Sequence, residues 1–172
     1  MNSSSTKLIV QSVIFLILQV VIFRNIALLD VTFCFIYVAI ILLLPLEMDR
    51  ILILVIAFII GLIIDMFYNS FGVHTSASVL LAFLRFYWGN IITPQGGYEI
   101  NISPNLKTMG FQWFSTYFLP MLFVHHFTLF FTEAGGFFLF WFTLLKVIMS
   151  TFFTFLVILL IQILFFSRKR GI

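Results

Sequence analysis

Nine Lys or Arg and six Asp or Glu are all the fixed charge that 172 residues carry. Each one set inside an apolar run therefore asks for a reason. An ionisable side chain at the centre of a bilayer costs at least ~2.5–3.5 kcal/mol on insertion scales, which makes it a functional-site candidate by default. Asp65 is the sharpest case. It lies about 15 residues into the apolar run that starts at Ile51, roughly 22 Å deep at ~1.5 Å per residue. Asn69, Gly72 and His74 follow closely, Gly72 lets the backbone turn, and a helix restarts near Thr75 and Ser76. A turn at that depth has to be buried in protein, because lipid cannot satisfy its backbone groups. The simpler role for Asp65 is structural: its carboxylate accepts hydrogen bonds from nearby N–H groups, Asn69 or His74. The alternatives are a contact for a partner protein and a polar pocket.

The other polar residues read as follows. Arg85, in Arg85-Phe86-Tyr87-Trp88, suits an interfacial belt, its guanidinium snorkelling to lipid headgroups. Lys146 falls near a membrane interface, with pairing to Asp65 or Glu133 as the alternative. His125 and His126 are adjacent and so project about 100° apart on a helix. With no acid four residues on, they suit hydrogen bonding near an interface better than a metal. Glu47, Asp49 and Arg50 form a solvated turn. Cys34 is the single cysteine, which excludes intrachain disulfides and cysteine-based metal sites. It reads as a small packing residue in mid-helix. No paired Asp-rich diphosphate motif, zinc-protease motif, nucleophile elbow or P-loop occurs. The expectation is a non-enzymatic protein with no catalytic residue, no metal and no cofactor.

Composition fixes the solvent. The chain is 63% hydrophobic and 9% charged, with 25 Phe, and its mean hydropathy is +1.22. Soluble domains carry about 25% charged residues, so hydrocarbon is the medium that suits this chain. Its net charge of +3 comes largely from Arg168, Lys169 and Arg170, a membrane-flanking cluster rather than a nucleic-acid surface. A helix needs roughly 17–25 apolar residues to cross. Six runs of about that length or longer are present, at 8–23, 31–46, 51–67, 71–92, 111–131 and 137–166, with an inner loop over 93–108. The fold class expected is all-α, a single transmembrane domain of about six helices. The first run lacks a small-residue cleavage site and reads as a permanent anchor rather than a signal peptide.

Orientation follows from Lys and Arg near the helix ends. With both termini inside, Lys7, Arg50, Lys107, Arg168, Lys169 and Arg170 face the cytoplasm, and only Arg24, beside Asp30, clearly falls outside. The outer loops are then very short, leaving no room for an external catalytic domain.

The step Gly61-Leu62-Ile63-Ile64-Asp65, followed by Gly72-Val73-His74 and an apolar helix, resembles MreD, the rod shape-determining membrane protein family of bacteria. Gly97-Tyr98-Glu99, Gly110-Phe111-Gln112-Trp113-Phe114 and His125-His126 are similar to a variant of that family with an extended inner loop. The resemblance implies a fold similar to the substrate-binding subunits of energy-coupling-factor transporters. It also implies an inner-membrane component of the cell-elongation machinery for peptidoglycan synthesis. The partners implied are MreC, a bitopic protein, together with MreB filaments, RodA and a class B penicillin-binding transpeptidase, all amid membrane lipid and without nucleic acid. Gly61, Asp65, Asn69, Gly72, His74 and Arg85 are then structural or interaction residues. The runner-up is a small-molecule (vitamin-like) binding subunit of a transporter that uses the turn from Asp65 to His74 as part of a pocket.

The charge asymmetry makes a direct prediction. Reporter fusions at Ile172 and within residues 93–108 should both read as cytoplasmic. An external signal at either position contradicts the topology.

Overall fold

The computed structural model describes residues 3–28, 30–98 and 103–165. The chain is mostly helical. In order it forms α1 (Ser3–Val21), a 3₁₀ turn (Phe23–Asn25), β1 (Ala27–Leu28), β2 (Thr32–Phe33) and α2 (Val38–Leu42). There follow α3 (Arg50–Tyr68), α4 (Val73–Ile91), α5 (Leu106–Glu133) and α6 (Phe140–Phe165). Among the described residues, four segments are long and apolar enough to cross a membrane: Leu8–Asn25, Arg50–Tyr68, Leu106–Glu133 and Phe140–Leu164. Ile17, Ile51, Met66 and Leu164 are all more than half exposed on them, as suits side chains that face lipid. The Arg168–Lys169–Arg170 cluster and Glu99 lie outside the described residues.

Sequence neighbours pack together, α3 on α4, α4 on α5 and α5 on α6. Although α4 equals α3 in length, at 19 residues, it turns its polar residues inward: His74, Thr75, Ser78 and Arg85 are all buried. In α5, Gly110 (φ 79°, ψ 165°) breaks the helix one turn after its start. The short first turn is closed by a capping box, with Asn105 accepting from Lys107 and Thr108 and Thr108 accepting from the Asn105 N–H.

Between 31 and 46 the structure departs from the helix that the sequence suggests. β1 and β2 pair antiparallel, Ala27 opposite Phe33 and Leu28 opposite Thr32. The chain then continues without helix through Cys34 and Phe35 and turns into a helix of only five residues. Everything from Cys34 to Leu44 is buried, so this segment is the core of the molecule. The physical reason is twofold. A continuous apolar run buried on all sides looks the same for a strand and a helix. Moreover Val31-Thr32-Phe33-Cys34-Phe35-Ile36-Tyr37-Val38 is rich in β-branched and aromatic residues, which favour an extended backbone. Cys34 is therefore a buried packing residue in a non-helical stretch, not in mid-helix.

Non-helical backbone in hydrocarbon needs partners supplied by protein. On α6, the Ser150 hydroxyl accepts from the Phe33 N–H (2.9 Å) and the Thr154 hydroxyl from the Phe35 N–H (3.1 Å). On α1, fully buried Gln19 donates to the Cys34 carbonyl (3.1 Å) and accepts from the Tyr37 N–H (3.3 Å). Phe33 and Phe35 thus turn to one side and Cys34 to the other, the two-residue alternation of an extended chain. Beyond Phe35, 3₁₀-type bonds such as Ala39 N–H to Ile36 carbonyl (3.0 Å) carry the backbone into α2.

A near-isosteric change tests this. Thr154→Val should destabilise the protein in mixed micelles by about 0.6–2 kcal/mol, the range for side-chain hydrogen bonds in membranes. Thr154→Ser, which keeps the hydroxyl, should lose less. Equal losses for the two variants would show that the hydroxyl holds nothing.

Candidate functional site

Of the residues that the sequence singles out, Gly61, Asp65, Asn69, Gly72 and His74 converge at the turn between α3 and α4, whereas Arg85 lies at the far end of α4. Gly61 and Asp65 lie one turn apart on α3. A Cβ on Gly61 would sit 2.5 Å from the Thr75 Cα and 3.1 Å from the His74 carbonyl oxygen, so only glycine lets the first turn of α4 press against α3. That approach brings the N–H groups of His74 and Thr75 to the Asp65 carboxylate. Oδ1 accepts from the His74 N–H (2.9 Å) and the Ser70 hydroxyl (2.6 Å); Oδ2 accepts from the Thr75 N–H (2.9 Å) and the Thr75 hydroxyl (2.5 Å). A carboxylate at a helix N-terminus satisfies orphan donors and meets the positive end of the helix dipole. Asp65 is 5% exposed and engages four donors.

Asn69 and Gly72 shape the connection. Asn69 adopts a left-handed conformation (φ 54°) and ends α3, its N–H donating to the Asp65 carbonyl. Gly72 (φ 91°) stands just before α4 with open space around it, so its requirement is conformational where that of Gly61 is spatial. Of the two donors expected for Asp65, His74 binds the carboxylate through its N–H, whereas Asn69 binds the Asp65 backbone. Phe71 at the tip of the turn is fully exposed.

Below the turn lies a chain of buried rings. The Tyr37 hydroxyl sits 3.0 Å from His74 Nδ1 and 2.7 Å from His125 Nε2. Since one hydroxyl has one proton, one imidazole donates to it and the other accepts. Among the described residues, the buried His125 Nδ1 has no partner. An orphan acceptor costs less than an orphan N–H, which assigns the proton of His125 to Nε2, donating to Tyr37, while Tyr37 donates to His74. His126 points elsewhere: its Nδ1 is 2.6 Å from the Leu122 carbonyl and its Nε2 is 3.3 Å from the Thr154 hydroxyl. Both histidines are fully buried. They are core groups rather than interfacial ones, because polar partners wait for them in the interior: Tyr37 of the 31–46 segment for His125, and the Leu122 carbonyl and, on α6, Thr154 for His126. Among the described residues, no three His, Cys, Asp or Glu side chains are grouped to hold a metal.

Arg85 is corrected most. It is 1% exposed and does not snorkel. Its Nε donates to the Tyr117 hydroxyl (2.6 Å) and its Nη2 to the carbonyls of Leu44 and Pro45 (3.1 Å to Pro45). Tyr117 in turn donates to the Leu42 carbonyl (3.3 Å). Arg85 and Tyr117 thereby satisfy the carbonyls freed where α2 ends. Lys146 is half-buried, its Nζ 5.6 Å from the Phe33 ring centroid and 5.1 Å from that of Phe142. Asp49 caps α3, accepting from the Leu52 N–H (3.0 Å).

Gln19, Tyr37, Tyr117, Ser150 and Thr154 were not singled out from sequence. Their one signal is a polar group inside an apolar run, and that signal has force only once a non-helical neighbour needs partners. The chain matches no family profile, no curated protein and no solved structure.

The geometry orders three variants. Asp65→Asn keeps one oxygen, so whichever way the amide turns, either the His74 or the Thr75 N–H faces an NH₂ group. Asp65→Leu orphans both, at about 1–3 kcal/mol for each buried group. Membrane abundance should therefore fall from wild type to Asn to Leu. Gly61→Ala should resemble Asp65→Leu, and the double variant should be little worse than either single one, because both break the same contact. Fully additive losses would separate the two residues.

Proposed function

We propose that this chain is a non-enzymatic, six-crossing component of a bacterial cytoplasmic membrane, of the MreD kind, with both termini cytoplasmic. In this reading it binds an MreC-like bitopic protein and helps to organise the elongation complex of MreB, RodA and a class B penicillin-binding transpeptidase. Its fold would be similar to the substrate-binding subunits of energy-coupling-factor transporters. The observation that carries the proposal is that the residues of the resemblance do one joint job. Gly61 admits α4, Asp65 holds its first turn, and Gly72 and His74 complete the connection. A motif that serves as a structural lock fits a scaffold better than a reaction centre.

Two further observations support it. Residues 32–46 are long enough for a crossing, since non-helical backbone advances about 3.3 Å per residue where it is extended and ~1.5 Å where it is helical. With α4 and the four long apolar helices, this reading has six passes. The exposed faces of α1, α3 and α6 are apolar and free of described charges over most of their length, as suits contacts with other transmembrane helices.

The experiment is depletion of the chain in a rod-shaped host, with purification of its tagged form in parallel. The expected outcome is rounding of the cells and copurification of an MreC-like protein. Normal rods after complete depletion, with no second copy present, would reject the assembly role. Recovery of an ATPase module in place of MreC would favour the transporter reading.

A further inference from the structure

The α3–α4 hairpin carries a second polar feature at the end away from Asp65. A cavity of about 580 Å³ opens there between the start of α3 and the end of α4, lined by Glu47, Asp49, Arg50 and Arg85 and flanked by Ile51 and Phe83. Arg85 is the buried member, 1% exposed, while Glu47, Asp49 and Arg50 are exposed. The partners of Arg85 are all neutral: a phenol and two backbone carbonyls. Among the described residues its Nη1 has no partner. A buried guanidinium with neutral acceptors keeps its charge uncompensated, a costly state that an incoming anion relieves. Arg50 lies with its Cζ 3.4 Å from the centroid of the Phe86 ring, a placement over the ring face that leaves the edge N–H groups of a guanidinium able to donate. Asp49 uses Oδ1 to cap α3.

We propose that this cavity binds the headgroup of a zwitterionic aminophospholipid, its phosphate on Arg85 and Arg50 and its primary ammonium on Glu47 and Asp49. The charge balance makes the choice. Two guanidinium and two carboxylate groups line one space. A purely anionic headgroup would face both acids, and a purely cationic one both arginines; a phosphoamine answers all four. Ile51, 72% exposed, and Phe83, 50% exposed, extend apolar surface from the cavity for the acyl chains. Charge-assisted bonds to both ends of the headgroup supply the selectivity, and the site is independent of the assembly role.

The test uses the full-length chain in detergent, offered equimolar phosphatidylethanolamine, phosphatidylcholine and phosphatidylglycerol with matched acyl chains, and read by native mass spectrometry. Phosphatidylethanolamine should be retained about tenfold over each of the others, because methylation of the amine removes its donors and phosphatidylglycerol lacks the ammonium. The variant Glu47→Gln with Asp49→Asn, whose Asn keeps the helix cap, should fold normally and lose that preference. Equal retention of the three lipids, or an unchanged preference in the variant, would overturn the proposal. Displacement of the lipid by equimolar free phosphoethanolamine would overturn the lipid as the source of the headgroup.

Discussion

A buried interior offers no water to an unpaired N–H or C=O, and this chain nevertheless runs a non-helical segment through its core. That conflict organises the molecule. The Phe33, Phe35 and Tyr37 N–H groups and the Cys34 carbonyl are met by Ser150, Thr154 and Gln19. Those three side chains draw α6 and α1 to opposite sides of the segment. Gln19 also donates to the Tyr68 hydroxyl at 2.7 Å, which links the same glutamine to the end of α3.

The same rule explains Arg85, Tyr117 and Asp65. Where α2 stops, Arg85 and Tyr117 take its last carbonyls. Where α4 starts, Asp65 takes its first donors. At these breaks in helical bonding a polar side chain from another element meets the freed backbone groups. A half-satisfied polar network is more costly than an apolar core, which accounts for so many partners gathered around one segment. The histidines follow from it too: Tyr37 sits between His74 and His125 because the segment carries it there.

The sequence made some of this legible and hid the rest. Asp65 was readable because a carboxylate so deep in an apolar run has few uses, and a glycine one turn earlier pointed to close packing on that face. Arg85 was misread because a basic residue beside three aromatic ones resembles an interfacial belt; only the end of α2, far off in sequence, shows what it binds. The 31–46 segment was misread because apolar length is the only cue in a run buried on every side, and β-branched composition is weak beside it. Thr154 and Ser150 could not be valued until their backbone partners were known.

The roles of Gln19, Ser150 and Thr154 all depend on the backbone around Cys34, and the chain's single cysteine makes that backbone directly observable. Cysteine-selective ¹³C labelling of the protein in lipid bilayers gives one Cα and one Cβ resonance by solid-state NMR. The structure predicts shifts of the extended type for that residue. Helical shifts would mean that residues 31–46 form an ordinary transmembrane helix, and the roles assigned to Gln19, Ser150 and Thr154 would fall with it.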